Sequence, residues 1–500
     1  MEIKIENKTI KSFREISRQI KKIQETAETV VPDINDDIGK IVSTNTALFL
    51  KSKEEVSGRG VLIGGEAEIS VLYITEGESA VSFLRTTKAF TMEYDVDGAD
   101  NDTVAQIALS VTNAETRVLN PRKVSVTVEI SGEMSCFKQE NAIVQSMLPG
   151  SDFTIHTKTE TESAVLINSA CEKTFAYNEQ FTFPSAKPVP QRLIWQEPVF
   201  EISETQLVGT KALVKGSFRV TVLYLSDSGE YPIQWSFSAP FSQLLDIGQE
   251  KMDLSAVRIE ISSSYFALVD TISGEKALDA EIHAVMQLLS YFHQDLSYIS
   301  DAYCNCLPLS CKMQPERLFG LSDVQRMLLS ADEQISIAED CADVLSVHSA
   351  LTAASLSRSR AEAGLAVDIL YQTQSGSLSA VHRSIMLEQE CALADVRLTG
   401  AKLVSADLRS EGSSLCGRIS IELSYRSSSV REVSMVESME LDEEKPFDLS
   451  LFPSVTLVRA EEESVWELAK KYHSCPERIT AVNCFEADVR GCMLMIPKSN

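Results

Sequence analysis

The segment from Gly64 to Phe90 reads GGEAEISVLYITEGESAVSFLRTTKAF, and its pattern returns twice in the chain. Apolar and polar residues alternate up to Leu72-Tyr73, a short polar stretch containing Gly77 follows, and a second alternating run completes the segment. Alternation with a period of two places the apolar side chains on one face of a strand. The segment therefore predicts a β-hairpin with one buried face.

The two further copies lie at the spacing of whole domains. They read KGSFRVTVLYLSDSGEYPIQWSFSAPF at Lys215–Phe241 and EAGLAVDILYQTQSGSLSAVHRSIMLE at Glu362–Glu388. Each copy places a small residue eight positions before an aromatic anchor. The pairs are Gly65 with Tyr73, Gly216 with Tyr224, and Ala363 with Tyr371. The anchors are 151 and 147 residues apart, which is the period of a domain and not of a solenoid repeat.

Each hairpin is followed, after a gap, by further alternating runs. These runs are Arg117–Ile130, Arg258–Leu268, Ala277–Val285, Lys402–Asp407 and Arg418–Tyr425. So much alternation predicts three β-rich repeat domains, either sandwich-like or with a small helix each. A chain of 500 residues also exceeds one ordinary core, since domains usually hold about 100–200 residues.

Prolines between Pro184 and Pro190 and a cysteine-rich stretch around residues 302–315 suggest where the domains meet. We therefore predict a multi-domain, mainly β chain with repeat domains at residues 32–184, 185–315 and 316–450.

The N-terminal segment has a different pattern. Its apolar residues are spaced by threes and fours, at Ile10, Phe13, Ile16, Ile20, Ile23, Ala27 and Val30. This spacing places them on one face of a helix, which should end near Pro32. The pattern predicts an amphipathic helix within residues 1–31, serving either as a docking helix for a partner or as a helix packed on the first domain.

An acidic stretch at residues 435–448 precedes a different kind of segment at residues 453–498. Strands are predicted at Val455–Arg459 and Met493–Ile496, and helices at Ser464–His473 and Pro476–Val482. The segment predicts a compact βααβ module of under fifty residues.

Lys and Arg number 46 against 72 Asp and Glu, which gives a net charge of −26 and a pI near 4.7. Such a chain repels phosphate backbones, so we expect no nucleic-acid partner. The N-terminus has no apolar core typical of a secretory signal, and no apolar run approaches a membrane span. We expect an intracellular chain whose eleven cysteines do not form an obligate disulfide framework.

The sequence carries no nucleophile elbow, P-loop, dinucleotide-binding glycine motif or His-Glu-x-x-His zinc motif. We expect no enzyme, no catalytic residue and no cofactor. The thiolates of Cys304, Cys306 and Cys311 could share a soft metal ion, or they are free thiols in a connector between domains. Their spacing matches no paired zinc knuckle, so no metal site is predicted.

The C-terminal segment resembles a LysM module. The resemblance rests on Val455-Thr-Leu-Val-Arg, Glu463-Ser-Val-Trp466, Leu468-Ala469, Tyr472, Ile479, Asn483, Gly491 and Leu494-Met-Ile-Pro497. It implies two neighbouring loops, Glu461–Trp466 and Val482–Asp488, that bind either a protein partner or a glycan. The candidate binding residues are Glu463, Ser464, Val465, Trp466, Ile479 and Asn483. Glu462-Glu463-Ser464 stands where glycan-binding LysM modules usually have Gly-Asp-Thr.

The three hairpin segments resemble the SPOCS domain of spore-coat-associated clostridial proteins, and SPOCS copies followed by one LysM module resemble SipL-type spore envelope proteins. The resemblance implies a non-enzymatic adaptor, located in the mother-cell cytoplasm and recruited to the forespore surface. Its implied partner is a coat morphogenetic ATPase similar to SpoIVA, docked through the LysM module. The alternative is a peptidoglycan-binding protein whose LysM module holds cell-wall or cortex glycan.

Overall fold

Strands dominate the computed structural model, in which they account for 78% of the chain and helices for 3%. The predicted mainly β class is confirmed. The structure describes residues 2–3, 5–56, 60–76, 80–100, 102–147, 155–226, 231–272, 274–448, 450, 453–483 and 490–498.

The described elements are two helices and twenty-two strands. In chain order they are β1 (Glu2–Ile3), β2 (Ile5–Val30), β3 (Ile38–Val56), β4 (Gly60–Thr75), β5 (Val81–Asp95), β6 (Val104–Asn120), β7 (Lys123–Met147), β8 (Ile155–Thr182), β9 (Pro190–Val208), β10 (Lys211–Ser226), β11 (Ile233–Asp246), β12 (Leu254–Asp270), β13 (Lys276–Cys304), β14 (Leu309–Leu321), β15 (Gln325–Ser336), β16 (Cys341–Leu356), β17 (Arg360–Thr373), β18 (Leu378–Glu390), β19 (Val396–Glu411), β20 (Ser414–Leu441), β21 (Val455–Arg459), α1 (Val465–Lys471), α2 (Pro476–Asn483) and β22 (Met493–Pro497).

One antiparallel pairing scheme occurs three times, in unit 1 (β2–β7), unit 2 (β8–β13) and unit 3 (β14–β20). Each unit has a three-stranded sheet, with the order β3-β4-β5, β9-β10-β11 or β16-β17-β18. In each unit the last strand also pairs with the strand before it and with an early strand. These sets are β6-β7-β2, β12-β13-β8 and β19-β20-β15.

The three predicted hairpins are present as β4–β5, β10–β11 and β17–β18. In every unit the strand that precedes the hairpin carries one extra residue opposite the Leu-Tyr pair. These extra residues are Val42, Ile194 and Leu345. Such a β-bulge bends the strand and increases its local twist. Its recurrence at the same place shows that the three units share this feature of their architecture.

The tyrosine of each Leu-Tyr pair lies in the core of its own unit. Tyr73, Tyr224 and Tyr371 are buried in three separate apolar clusters. The Tyr73 hydroxyl donates to the Asp36 carbonyl at 3.3 Å, and the Tyr224 hydroxyl donates to the Pro188 carbonyl at 3.2 Å. A buried hydroxyl needs such a partner. These bonds therefore connect the residues just before β3 to the hairpin β4–β5, and the residues just before β9 to the hairpin β10–β11.

The leucine of each pair points to the opposite side of the strand and meets the leucines of the other two units. We call this shared apolar contact the central cluster. Its members include Val42, Leu72, Ile194, Trp195, Leu223, Leu345 and Leu370. Because burying apolar surface is the main favourable term in folding and in association, the central cluster stabilises the contact among the three units.

Two glutamine side chains also join the units, Gln287, which is buried, and Gln234, which is half-buried. The Gln287 amide of unit 2 bonds both the N–H and the carbonyl of Ile107 in unit 1, at 2.7 and 2.9 Å. Gln234 of unit 2 makes the same pair of bonds to Val347 in unit 3, at 3.0 and 3.1 Å. A carboxamide carries one donor and one acceptor group, so each glutamine replaces a missing strand neighbour.

The prediction of an N-terminal helix is wrong, because Ile5–Val30 forms strand β2. It pairs with β7 from Ile5 opposite Met147 to Val30 opposite Lys123, with one interruption between Glu15 and Ser17. Beyond a bulge near Ile16 the inward positions are the odd-numbered residues, and several are polar, including Gln19, Lys21 and Glu25.

These polar inward residues hide the period of two in β2. The side chains of Gln19 and Lys21 donate to the backbone carbonyls of Asp95 and Glu93 on β5. Ile20, by contrast, is exposed. The apolar residues of this segment therefore do not lie on one face of β2. The hydrogen bonds between β2 and β7 determine the extended conformation of the segment.

Strand pairing also divides the chain at different places from the predicted edges. The predicted boundary at residue 184 assigns β8 to the first repeat, yet β8 pairs along nearly its whole length with β13 of unit 2. The boundary at residue 315 falls inside β14, which pairs with β20 of unit 3. The prolines of this stretch lie inside unit 2, where Pro184 and Pro188 connect β8 with β9 and Pro190 begins β9.

The C-terminal unit (β21, α1, α2 and β22) follows the predicted order of strand, helix, helix and strand. Its two strands pair antiparallel. Its apolar core includes Leu468, Ile479 and Leu494, and also Tyr303 from the end of β13. Within the described residues, neither helix combines the length and the apolar character needed to cross a bilayer.

Candidate functional site

The first helix of the C-terminal unit, α1, begins with a complete capping box. The Glu467 amide donates to the Ser464 hydroxyl at 3.3 Å, and the Ser464 amide donates to the Glu467 carboxylate at 2.7 Å. These bonds satisfy helix N–H groups that have no partner inside the helix. The bond from the Ser464 amide is the main cause that holds the pKa of Glu467 below its ordinary value. Ser464 therefore has a structural role in addition to any binding role.

Four other predicted binding residues also have structural contacts. Glu463 forms an ion pair with Lys471 at 2.7 Å, and Val465 packs against the core of the unit. Ile479 is fully buried. The Asn483 side chain donates to the Met495 carbonyl and accepts from the Met495 amide, each at 2.7 Å. Ile479 and Asn483 thus help to build the module, and Asn483 is half-buried.

Trp466 faces the end of β13. Its indole N–H donates to the Asp301 carboxylate at 2.8 Å, and its ring packs edge-on against Tyr303 with centroids 5.0 Å apart. Lys470 bonds the same carboxylate at 2.7 Å. Burial alone would raise the pKa of Asp301, but the Lys470 and Trp466 bonds outweigh burial and hold that pKa below its ordinary value. The structure therefore uses Trp466 to attach the C-terminal unit to unit 2.

A groove of about 800 Å³ lies beside this contact, and we call it the Trp466 groove. Ser464, Trp466 and Glu467 line one side, and the other side is formed by β8, β13 and β20. Residues of that side include Lys158, Glu160, Glu162, Tyr298, Ser300 and Arg431. Arg431 pairs with Glu162 at 2.8 Å, and Tyr298 donates to Glu160 at 3.1 Å. A ligand rich in hydroxyl or amide groups would find donors and acceptors there.

The two strands of the C-terminal unit expose a second candidate surface. Val455 and Leu457 on β21 and Met493 and Met495 on β22 point to the same side, and each is at least 42% exposed. We call these four residues the apolar sheet face. Exposed apolar patches on proteins commonly mark sites of protein contact, and methionine side chains adapt to partners of different shape.

Sequence reasoning missed the apolar sheet face, although β21 and β22 were predicted. The signal was present, because Val455, Leu457 and Val458 put apolar residues on both faces of a short strand. One face fills the core of the unit, which leaves the other exposed. The predicted loop Val482–Asp488 lies mostly outside the described residues, so only Val482 and Asn483 can be placed.

Cys304, Cys306 and Cys311 lie where β13 and β14 approach each other. The sulfurs of Cys304 and Cys306 are 3.4 Å apart, and Cys311 Sγ lies 3.8 Å from the Ala302 carbonyl. Burial raises the pKa of the Cys306 and Cys311 thiols, which favours their protonated forms. Both interpretations of this group, free thiols or ligands of a soft ion, stay open.

Comparison with known protein families identifies one region. Residues 37–119 match the SipL, SPOCS domain family, and this stretch contains the three-stranded sheet of unit 1 together with nearly all of β6. The match relates the protein to sporulation. Neither the curated proteins nor the solved structures that were searched contain a match.

Proposed function

We propose that the chain is a non-enzymatic adaptor of spore envelope assembly, which docks a coat morphogenetic ATPase similar to SpoIVA through its C-terminal unit. In this proposal, units 2 and 3 are further SPOCS-like copies, and the C-terminal unit is a LysM module. The protein acts in the mother cell and is recruited to the forespore surface. The SPOCS match at residues 37–119 supports the sporulation setting.

The apolar sheet face is the observation that carries the docking role. Leu457 and Met495 are direct cross-strand partners at its centre, and they are 62% and 42% exposed. A few residues near the centre of an interface usually contribute most of the binding free energy. A protein partner that covered this face would remove these side chains from water.

The second candidate is a glycan-binding protein that uses the Trp466 groove. The groove offers carboxylates, hydroxyls and the aromatic side chains of Trp466 and Tyr298, which are groups that suit a sugar chain. However, the Trp466 indole N–H already bonds Asp301, and its ring packs on Tyr303. These contacts favour an internal role for Trp466, so we prefer the adaptor.

The test is capture of the purified full-length chain by the immobilised coat ATPase and, separately, by purified sacculi. A Leu457→Glu, Met495→Glu double variant should reduce capture by the ATPase at least about tenfold, because it places charge in an apolar contact. Both side chains are exposed, so the substitutions should leave the fold intact. Sacculi should retain none of the proteins.

Ile20→Glu is the matched control, since Ile20 on β2 is also 62% exposed. It should be captured as well as the wild-type chain. Unchanged capture of the double variant would reject the apolar sheet face as the docking surface. Retention of the wild-type chain on sacculi, lost on Trp466→Ala, would favour the glycan-binding alternative.

A further inference from the structure

Three metal-ligating side chains converge where the C-terminal unit meets unit 2. One imidazole nitrogen of His156, the Cys475 thiol and one carboxylate oxygen of Glu477 all lie within 4.8 Å of one another. His156 belongs to β8, Cys475 immediately precedes α2, and Glu477 lies in the first turn of α2. We propose that these three side chains bind Zn²⁺ and that the ion fastens the C-terminal unit to unit 2.

The backbone already holds the three residues in place. His156 pairs with Tyr303 in the β8–β13 ladder, and the two rings stack with centroids 4.9 Å apart. The Tyr303 hydroxyl donates to the Ser474 carbonyl at 2.8 Å, directly before Cys475. The Ile479 amide donates to the Cys475 carbonyl at 3.1 Å. A site built on a strand and a helix start therefore needs only side-chain adjustment to receive an ion.

The donor set suits zinc. Zn²⁺ binds thiolate sulfur, imidazole nitrogen and carboxylate oxygen, usually in a tetrahedral arrangement. Ligand atoms that share one tetrahedral zinc lie about 3.3–3.6 Å apart, given bond lengths of about 2.0–2.3 Å. Cys475 Sγ is 2.6 Å from the Glu477 carboxylate, so rotation of these side chains can open the group around an ion. Glu477 is exposed, which leaves water as the fourth ligand.

Two contacts fix the imidazole of His156 beside Cys475 and Glu477. The Asn305 side-chain nitrogen lies 2.9 Å from His156 Nε2, and the ring stacks on Tyr303. The Cys475 thiol donates to the Glu477 carboxylate. Zinc would replace this hydrogen bond, because a thiol that coordinates zinc is deprotonated.

The ion would act as a cross-link between two parts of the molecule. His156 lies on unit 2, whereas Cys475 and Glu477 belong to the C-terminal unit. The contact made by Trp466 and Lys470 on Asp301 lies on the same strand end as Tyr303. Zinc would add a third attachment there and would control how firmly the C-terminal unit stays on unit 2.

The test uses the purified full-length chain, with Co²⁺ as a spectroscopic probe and Zn²⁺ as its competitor. The wild-type chain should show a thiolate-to-cobalt charge-transfer band that Zn²⁺ removes. Cys475→Ser should abolish this band. His156→Gln and Glu477→Gln should each weaken Zn²⁺ binding at least about tenfold, because loss of even a residue that only contacts a zinc ligand typically lowers metal affinity about 10–100-fold. Zn²⁺ should also slow proteolytic release of residues 453–498 in the wild-type chain and not in Cys475→Ser.

Two controls separate this site from other thiols. Cys492 is exposed in the same unit and outside the group, so Cys492→Ser should keep the band and the affinity. Cys306→Ser tests the group at Cys304, Cys306 and Cys311, and it should also keep them. Circular dichroism of each variant shows that it folds. The proposal is overturned if Co²⁺ gives no thiolate band, or if the band survives Cys475→Ser and disappears in Cys306→Ser.

Discussion

Glu260 carries a carboxyl group whose ionisation opposes folding. It lies on β12, and its carboxylate accepts a hydrogen bond from the Leu109 amide of unit 1 at 3.4 Å. The residue is partly exposed, but its carboxyl group is enclosed by protein, and this burial raises its pKa from 4.5 to about 8. Near neutral pH the folded chain therefore holds a proton that the unfolded chain has released.

A folded-state pKa above the unfolded value makes stability fall as pH rises. The stabilising contribution is complete below about pH 4.5 and is lost as pH rises through about 8. Glu260→Gln keeps an acceptor for the Leu109 amide and cannot ionise. It should raise the free energy of unfolding at pH 9 by about 1–3 kcal/mol, less than the full shift implies because of partial exposure. At pH 5 it should have little effect.

Urea denaturation of both proteins at pH 5, 7 and 9 measures this difference. Glu275→Gln, an exposed substitution in the turn between β12 and β13, is the control and should show no such trend. An equal effect of Glu260→Gln at all three pH values would show that the carboxyl group does not titrate as described.

At the scale of elements, the small residue before each anchor tyrosine is explained by its partner across the hairpin. Gly65 lies opposite Phe90, and Gly216 lies opposite Phe241. A Cβ atom on Gly65 would collide with the Phe90 ring. In unit 3 both members of the pair differ together, because Ala363 lies opposite Leu387. The repeat thus preserves the combined size of a cross-strand pair.

Gly65→Ala should therefore lower the free energy of unfolding by about 1–3 kcal/mol, because the Phe90 ring must leave its place in the core. Adding Phe90→Leu should recover part of this loss, since the double variant recreates the pair of unit 3. Thermal denaturation followed by circular dichroism measures both changes.

Gly400→Ala is the matched control, because a Cβ atom on Gly400 on β19 meets open space. It should leave the melting temperature unchanged or slightly higher. If Gly65→Ala left the melting temperature unchanged, crowding by Phe90 would not explain why a small residue occupies position 65.

At the scale of the whole molecule, the central cluster makes three similar units into one body. Leu223 is fully buried there and belongs to unit 2, while its neighbours include residues of units 1 and 3. The tyrosine next to it fills the core of unit 2 alone. Adjacent residues on one strand thus serve two levels of structure, folding within a unit and association between units.

Leu223→Asp should separate the units, because an unpaired carboxylate in the central cluster costs several kcal/mol. Small-angle X-ray scattering should show a larger radius of gyration while circular dichroism keeps its β signal. Leu244→Asp is the control, since Leu244 on β11 is 48% exposed, and it should change neither measurement. An unchanged radius for Leu223→Asp would reject the central cluster as the contact that joins the units.

Sequence reasoning reached the mainly β class, the three hairpins and the order of elements in the C-terminal unit, because these depend on local periodicity. It failed at β2, where polar inward residues such as Lys21 and Gln19 bond the carbonyls of β5. It also assigned β8 to the first repeat, because the sequence of a strand does not indicate which distant strand it pairs with. In the candidate site it predicted a binding role for Trp466 but could not foresee that the Trp466 indole bonds Asp301.

The repeat can be recognised from the sequence alone, because the Leu-Tyr pair and the small residue before it follow from packing within one hairpin. The contacts of each face of that hairpin, by contrast, are visible only in the folded chain. Leu72, Leu223 and Leu370 meet across three units, and His156 meets Cys475 and Glu477 from more than 300 positions away in the chain. The alternation of apolar and polar residues reflects the period of the backbone in a strand. The contacts between units depend instead on the closure of long loops and on the burial of apolar surface from distant parts of the chain.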